Sequence, residues 1–185
     1  PEELRQFLDS GEPPVSLGLG SMSGVASART TRVVALTAEA LDHAGRRGVL
    51  LSPDAGIEDS RLPDGVMRVA GEVPYDWLFP RVAVAVHHGG AGTLAAALRA
   101  GVPSVVIPVL PDQAFWGWRV TALGAGPAPI SPKRLTAERL SAAILQAATD
   151  PEMRSRCRLL AEKISAEDGI SRAVEAFEIH AGEDR

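Results

Sequence analysis

Apolar positions along this chain fall into two alternating rhythms. Short runs that are apolar at nearly every residue predict buried strands: Val15-Ser16-Leu17-Gly18-Leu19, Val49-Leu50-Leu51, Val66-Met67-Arg68-Val69, Val82-Ala83-Val84-Ala85-Val86 and Ser104-Val105-Val106-Ile107. Between them apolar residues recur at helical spacing. Leu4, Phe7 and Leu8 share a face in residues 1–11, and Val33, Leu36, Ala40, Leu41 and Ala44 do so in a helix from about Ala28 to Ala44. Further helices are predicted from about Gly92 to Ala100 and, opened by the strand exit Pro108–Gln113, running to about Leu123. Val73–Pro80 predicts one helical turn, capped by Asp76 and stopped by Pro80.

A glycine- and proline-rich stretch, 124–132, leaves room for a short last strand near Ala128–Ile130. Three helices then finish the chain. The first, about 137–148, takes Thr136 as its N-cap; the second opens at Asp150-Pro151-Glu152 and buries Met153, Cys157, Leu160, Ala161 and Ile164. The third carries Ile170, Val174 and Phe177, and the polar tail from His180 onward is expected to fray.

Strands alternating with helices predict an α/β fold: a Rossmann-like doubly wound parallel sheet of about six strands with helices on both faces. Residues 1–185 read as a single domain, with the C-terminal helices at about 137–180. Ligands of such sheets bind outside the carboxyl ends of the strands. Three segments leave strands at that edge: Gly20-Ser21-Met22, His87–Thr93 and Asp112-Gln113.

The net charge of −4, with acids and bases interspersed, provides no basic stripe and argues against a nucleic-acid partner. A single cysteine, Cys157, excludes an internal disulfide and reads as a buried thiol in a reducing, cytoplasmic setting. No apolar run reaches the ~20 residues of a membrane-spanning helix, and no signal peptide is apparent, so no transmembrane segment is expected; peripheral membrane contact stays open. The chain begins at Pro1 and is expected to be an excised domain or a processed product.

The chemistry centres on His87-His88-Gly89-Gly90-Ala91-Gly92-Thr93, where an apolar strand turns through glycines into a helix. A helix N-terminus offers unpaired N–H groups and the positive end of a dipole, and glycines let a ligand approach the backbone, so the stretch predicts a phosphate clasp. Adjacent histidines on an extended chain point to opposite sides, and no H-x-x-x-H or cysteine partner follows. No metal site is expected, and at least one of the pair reads as a ligand donor. Gly18–Gly24 approximates a dinucleotide fingerprint, but its third glycine comes one place late and no acid ends the second strand. Asp112 is a candidate helix cap, and with Gln113 it also offers acceptors and an amide to vicinal sugar hydroxyls. Phe115, Trp116, Trp118, Trp77 and Phe79 read as packing or domain-contact residues. No nucleophile–base set can be placed.

Val15–Met22, Val73–Pro80, His87–Thr93 and Pro111–Gly117 together resemble the C-terminal half of GT-B glycosyltransferases. Within these they are most similar to the UDP-glycosyltransferase-like family 1, including enzymes acting on sterols and hydrophobic natural products. The resemblance spans essentially the whole chain. It implies a UDP- or dTDP-sugar partner and an inverting, metal-free transfer of a hexose, glucose in the first instance, with no cofactor. Ser21, His88, Gly90, Gly92 and Thr93 would hold the donor diphosphate, the Val73 backbone would meet the nucleotide base, and Asp112 and Gln113 would meet the sugar. Glu72 stands where plant-type members place a tryptophan. The acceptor domain, which carries the catalytic base in the family, lies N-terminal and has no counterpart in these residues, so the chain alone is expected to be inactive. An epimerase or hydrolase on the same scaffold, and a non-catalytic nucleotide-sugar-binding module, are the alternative readings.

Overall fold

The computed structural model describes residues 2–18, 28–51 and 62–183. Five parallel strands form one sheet: β1 (Val15–Gly18), β2 (Gly48–Leu51), β3 (Val66–Val69), β4 (Val84–His87) and β5 (Ser104–Val106), in the spatial order β3-β2-β1-β4-β5. The expected sixth strand near Ala128–Ile130 is absent among the described residues. Only the Ile130 N–H reaches across to the Val106 carbonyl, because prolines at 127 and 129 have no N–H to extend a ladder.

Helices cover both faces. α2 (Ala28–Ala44) and α6 (Ala137–Thr149) pack over Val15, Leu17, Val84, Val86 and Val105, and Leu140 and Ile144 of α6 are fully buried there. Burying a side chain of that size stabilises the fold by about 1.5–3 kcal/mol. On the other face α1 (Glu2–Asp9), α3 (Tyr75–Leu78) and α4 (Ala91–Arg99) cover Val49, Val69 and Ala85. Cys157 of α7 (Pro151–Ala166) is buried with Leu94, Ala125 and with Val120 of α5 (Pro111–Ala122), as its reading as a core thiol requires. Burial pushes its pKa up to about 11, which leaves it unreactive at neutral pH.

Several local expectations change. The turn at 75–78 is preceded by Pro74 rather than Asp76; Asp76 lies one residue inside it, accepting the Trp77 N–H. Pro80 does not stop the chain there but sits within a following 3₁₀ turn, Phe79–Arg81, where its missing N–H costs nothing. Phe79 is buried as packing, stacked on Tyr75 at 4.6 Å, while Phe115 and Trp118 of α5 are 58% and 59% exposed and are not core. The final helix, α8 (Gly169–Glu183), runs on past His180, with Ile170, Val174 and Phe177 all facing outward. No described helix is long and apolar enough to cross a membrane.

Candidate functional site

The strand order reverses between β1 and β4, which pair directly with Gly18 opposite His87. α2, which follows β1, packs on one face of the sheet and α4, which follows β4, on the other, and ligands of such sheets bind at the carboxyl edge of a switch point of this kind. Every described residue that the sequence singled out for chemistry comes to this edge.

β4 ends in His87, and Gly89 then adopts φ +89°, a left-handed conformation that side chains rarely occupy. A Cβ at Gly89 would also lie 2.7 Å from Val106 Cγ1 and 3.0 Å from the Gln113 carbonyl oxygen. The glycine therefore does two things: it turns the chain, and it lets the start of α5 close against the turn. Gly90 takes the N-cap position of α4 and has no side chain with which to cap it. The first intrahelical bond runs from the Leu94 N–H to the Gly90 carbonyl, so the Ala91, Gly92 and Thr93 N–H groups lie ahead of the helical ladder. No described atom would meet a Cβ at Gly92, whereas a Cβ at Gly90 would overlap His88 Nε2. The imidazole of His88 is thus set directly against an uncapped helix N-terminus.

The two histidines face opposite ways, as the extended strand demands. His87 is 1% exposed, and burial together with the neighbouring His88 lowers its pKa from 6.5 to about 3. Its Nδ1 accepts the Gly89 N–H at 3.0 Å, which assigns the ring proton to Nε2. His88 is pulled below its usual value by burial, while the Asp112 carboxylate and the Gly18 backbone pull it back up. The ring is consequently neutral at pH 7, and an anion beside it would favour its protonated, doubly donating form.

Asp112 and Gln113 occupy the first turn of α5, but neither holds the N-cap position, which belongs to Leu110. Instead Gln113 reaches back, and its Oε1 accepts the Val109 and Leu110 N–H groups at 2.8 and 3.0 Å. That closes the amide oxygen to a ligand and leaves its Nε2 as the group to offer. Asp112, freed from capping, is exposed and close enough to His88 to influence its protonation. Val73 is half-buried just ahead of α3, and Tyr75 brings that connection to the site: a Cβ on Gly18 would lie 3.3 Å from the Tyr75 hydroxyl. Ser21 lies outside the described residues. Thr93 is buried in the first turn of α4.

The structure thus brings His88, Gly90, Gly92, Thr93, Asp112 and Gln113 together at one edge. Two residues it adds are His87 and Tyr75. Alternation groups His87 with Ala85 on one face of β4, but both faces of this strand are buried, so spacing alone did not mark it. No local pattern announced Tyr75, since its relevance depends on β1 and α3 meeting. Two clefts, of about 630 and 700 Å³, lie elsewhere, one between α5 and α6 and the other beside Arg46 and Arg158; neither includes the His88 turn. Among the described residues no group of His, Cys, Asp and Glu is arranged to hold a metal ion.

Comparison with known proteins agrees with this picture. Residues 37–176 match the family described as erythromycin biosynthesis protein CIII-like, C-terminal domain. The chain is 37% identical over 180 residues to sterol 3-beta-glucosyltransferase UGT80A2 of Arabidopsis thaliana, covering 97% of this chain and 28% of that protein. It is 42% identical over 171 residues to the O-mycaminosyltylonolide 6-deoxyallosyltransferase of Streptomyces fradiae, covering 92% and 39%. Among solved structures it superposes with a TM-score of 0.77 on the kitacinnamycin glycotransferase, at 30% identity over 91% of this chain and 43% of that one. The same score is obtained with glycosyltransferase VinC in complex with dTDP, at 27% identity over 96% and 44%. The chain therefore spans well under half the length of these relatives.

Proposed function

The chain belongs to the erythromycin biosynthesis protein CIII-like C-terminal domain family of GT-B glycosyltransferases, and on that premise we propose that it is the donor-binding part of an inverting glycosyltransferase. The enzyme transfers a hexose, glucose in the first instance, from a UDP- or dTDP-sugar to a hydroxyl of a hydrophobic acceptor such as a sterol, a lipid or a natural product. The observation that carries this reading is the convergence at the β1/β4 switch point of an uncapped helix start with the His88 ring. A diphosphate supplies the acceptor oxygens that those N–H groups lack.

We propose a division of labour carried over from the family resemblance. The Ala91–Thr93 N–H groups and His88 take the diphosphate, with Ser21 adding a hydroxyl. The Val73 backbone meets the base, and Asp112 with the Gln113 Nε2 takes the sugar hydroxyls. When the acceptor oxygen displaces the nucleotide from the anomeric carbon, negative charge develops on the departing diphosphate. Preorganised N–H donors and a positive helix end stabilise that charge more than the ground state, which is what lowers the barrier. The acceptor and the base that deprotonates it are assigned to a separate N-terminal domain, so this chain alone binds donor without transferring it. VinC was solved with dTDP and UGT80A2 is named a glucosyltransferase, which supports dTDP and glucose as candidates.

Calorimetry with UDP, dTDP and their glucose conjugates tests the reading. At least one should bind, and Asp112→Ala should weaken the sugar conjugate more than the bare nucleotide. A folded chain that binds none of the four refutes the donor-site proposal, and equal losses for conjugate and nucleotide refute the role of Asp112.

A further inference from the structure

His87 presents an energetic oddity. Its ring is buried, its Nε2 has no hydrogen-bond partner among the described residues, and its Nδ1 spends its one acceptor on the Gly89 N–H two residues on. Leaving a buried donor unsatisfied forfeits its hydration with nothing in return. A leucine would fill the same buried position without that cost. What leucine could not do is accept the Gly89 N–H.

That single bond has a geometric consequence. Gly89 stands at φ +89°, wedged between Val106 and Gln113, and the next two residues are His88's neighbour Gly90 and the first residue of α4. With its N–H held on His87, the Gly89 turn is fixed immediately ahead of the Ala91, Gly92 and Thr93 N–H groups that precede the helical ladder of α4. Without the bond the Gly89 N–H has no buried acceptor, and the peptide gains by rotating toward water.

We propose that His87 is a positioning residue of this site, whose Nδ1 locks the Gly89 turn and thereby aims both His88 and the start of α4 at the diphosphate. It touches no ligand itself. The inference rests on the donor-site reading above for the identity of the ligand, but not for the bond to Gly89.

Two polar substitutions separate this role from mere packing. In His87→Asn the side-chain oxygen can occupy the place of Nδ1, whereas in His87→Gln the amide extends to the place of Nε2, out of reach of Gly89. Binding of UDP and dTDP, with uridine and thymidine as controls, and hydrogen exchange at the Gly89 amide in the unliganded chain are the readouts. The asparagine variant should bind the preferred diphosphate within about threefold of the parent and keep the Gly89 amide protected. The glutamine variant should lose about tenfold in diphosphate affinity, with the nucleoside control unmoved and the amide exchanging faster. These factors are on the scale of one hydrogen bond. Equal diphosphate affinity in the two variants, or equal exchange at Gly89 across all three proteins, overturns the inference. If the parent chain binds no nucleotide, the donor-site reading falls by itself, and the exchange measurement still decides whether His87 holds the turn.

Discussion

Helices α4 and α7 both begin, as every helix does, with N–H groups that have no partner in the helical ladder. At α7 the chain supplies its own answer. Asp150 takes the N-cap position and its Oδ1 accepts the Glu152 and Met153 N–H groups at 2.9 and 3.1 Å, with Pro151 next in line. At α4 the corresponding position is Gly90, which has no side chain with which to cap it, and the His88 ring lies beside it. One start is closed for stability and the other is left open at the carboxyl edge of the sheet. The difference teaches where stability has been forgone, and a site that binds an anion is a physical reason for forgoing it.

Acid should separate the two regions most strongly. His87 has a folded-state pKa of about 3 against an unfolded value near 6.5, so below pH 6.5 the unfolded chain binds a proton that the folded chain refuses. Stability from this group is complete above pH 6.5 and is lost at roughly 1.4 kcal/mol per pH unit as the pH falls toward 3. His88 is shifted in the same direction and adds to the slope. Denaturant titrations at pH 7 and pH 4.5 should show this loss, reduced in His87→Asn, which has no titrating group there. Parallel profiles for the two proteins would show that His87 is not buried neutral.

Substitution at the two helix starts should then give opposite phenotypes. His88→Ala should weaken nucleoside diphosphate binding by about 1.5–3 kcal/mol, the scale of a hydrogen bond to a charged group, with little change in folding stability. Asp150→Ala should cost about 0.5–2 kcal/mol of stability and leave nucleotide affinity unchanged. Calorimetry and urea unfolding on both variants check the pair; a common phenotype would erase the contrast between open and closed starts.

The smallest effect is expected at Gly92→Ala. A methyl there meets no described atom, and alanine favours a helix over glycine by up to about 1 kcal/mol, so stability should rise slightly. If the space belongs to the ligand, diphosphate affinity should fall at the same time. A more stable chain with undiminished affinity would show that the ligand does not approach Gly92.

Much of this architecture was legible along the chain because its signals are local. The helix at Ala28–Ala44, the caps Thr136 and Asp150 and the glycine turn after β4 depend on side-chain spacing and on short-range hydrogen bonding, and they stand where the pattern put them. The strand expected at 128–130 failed for a local reason too, since Pro127 and Pro129 could have been weighed against the apolar residues between them. Asp112 is a cap candidate because capping is a common use of aspartate at a helix start; in the structure Leu110 holds the N-cap position, and the Gln113 amide oxygen takes the Val109 and Leu110 N–H groups just ahead of the helix.

The sequence by itself determined the alternation of strands and helices, the uncapped start of α4 and the opposed directions of His87 and His88, because each follows from backbone geometry within a few residues. Only the tertiary structure decided that β1 and β4 are neighbours at the switch point, that Tyr75 meets Gly18, and that α5 closes on Gly89 so that Asp112 acts on His88. Those contacts join residues far apart along the chain. They are set by which faces bury together, and short-range spacing carries no record of that choice.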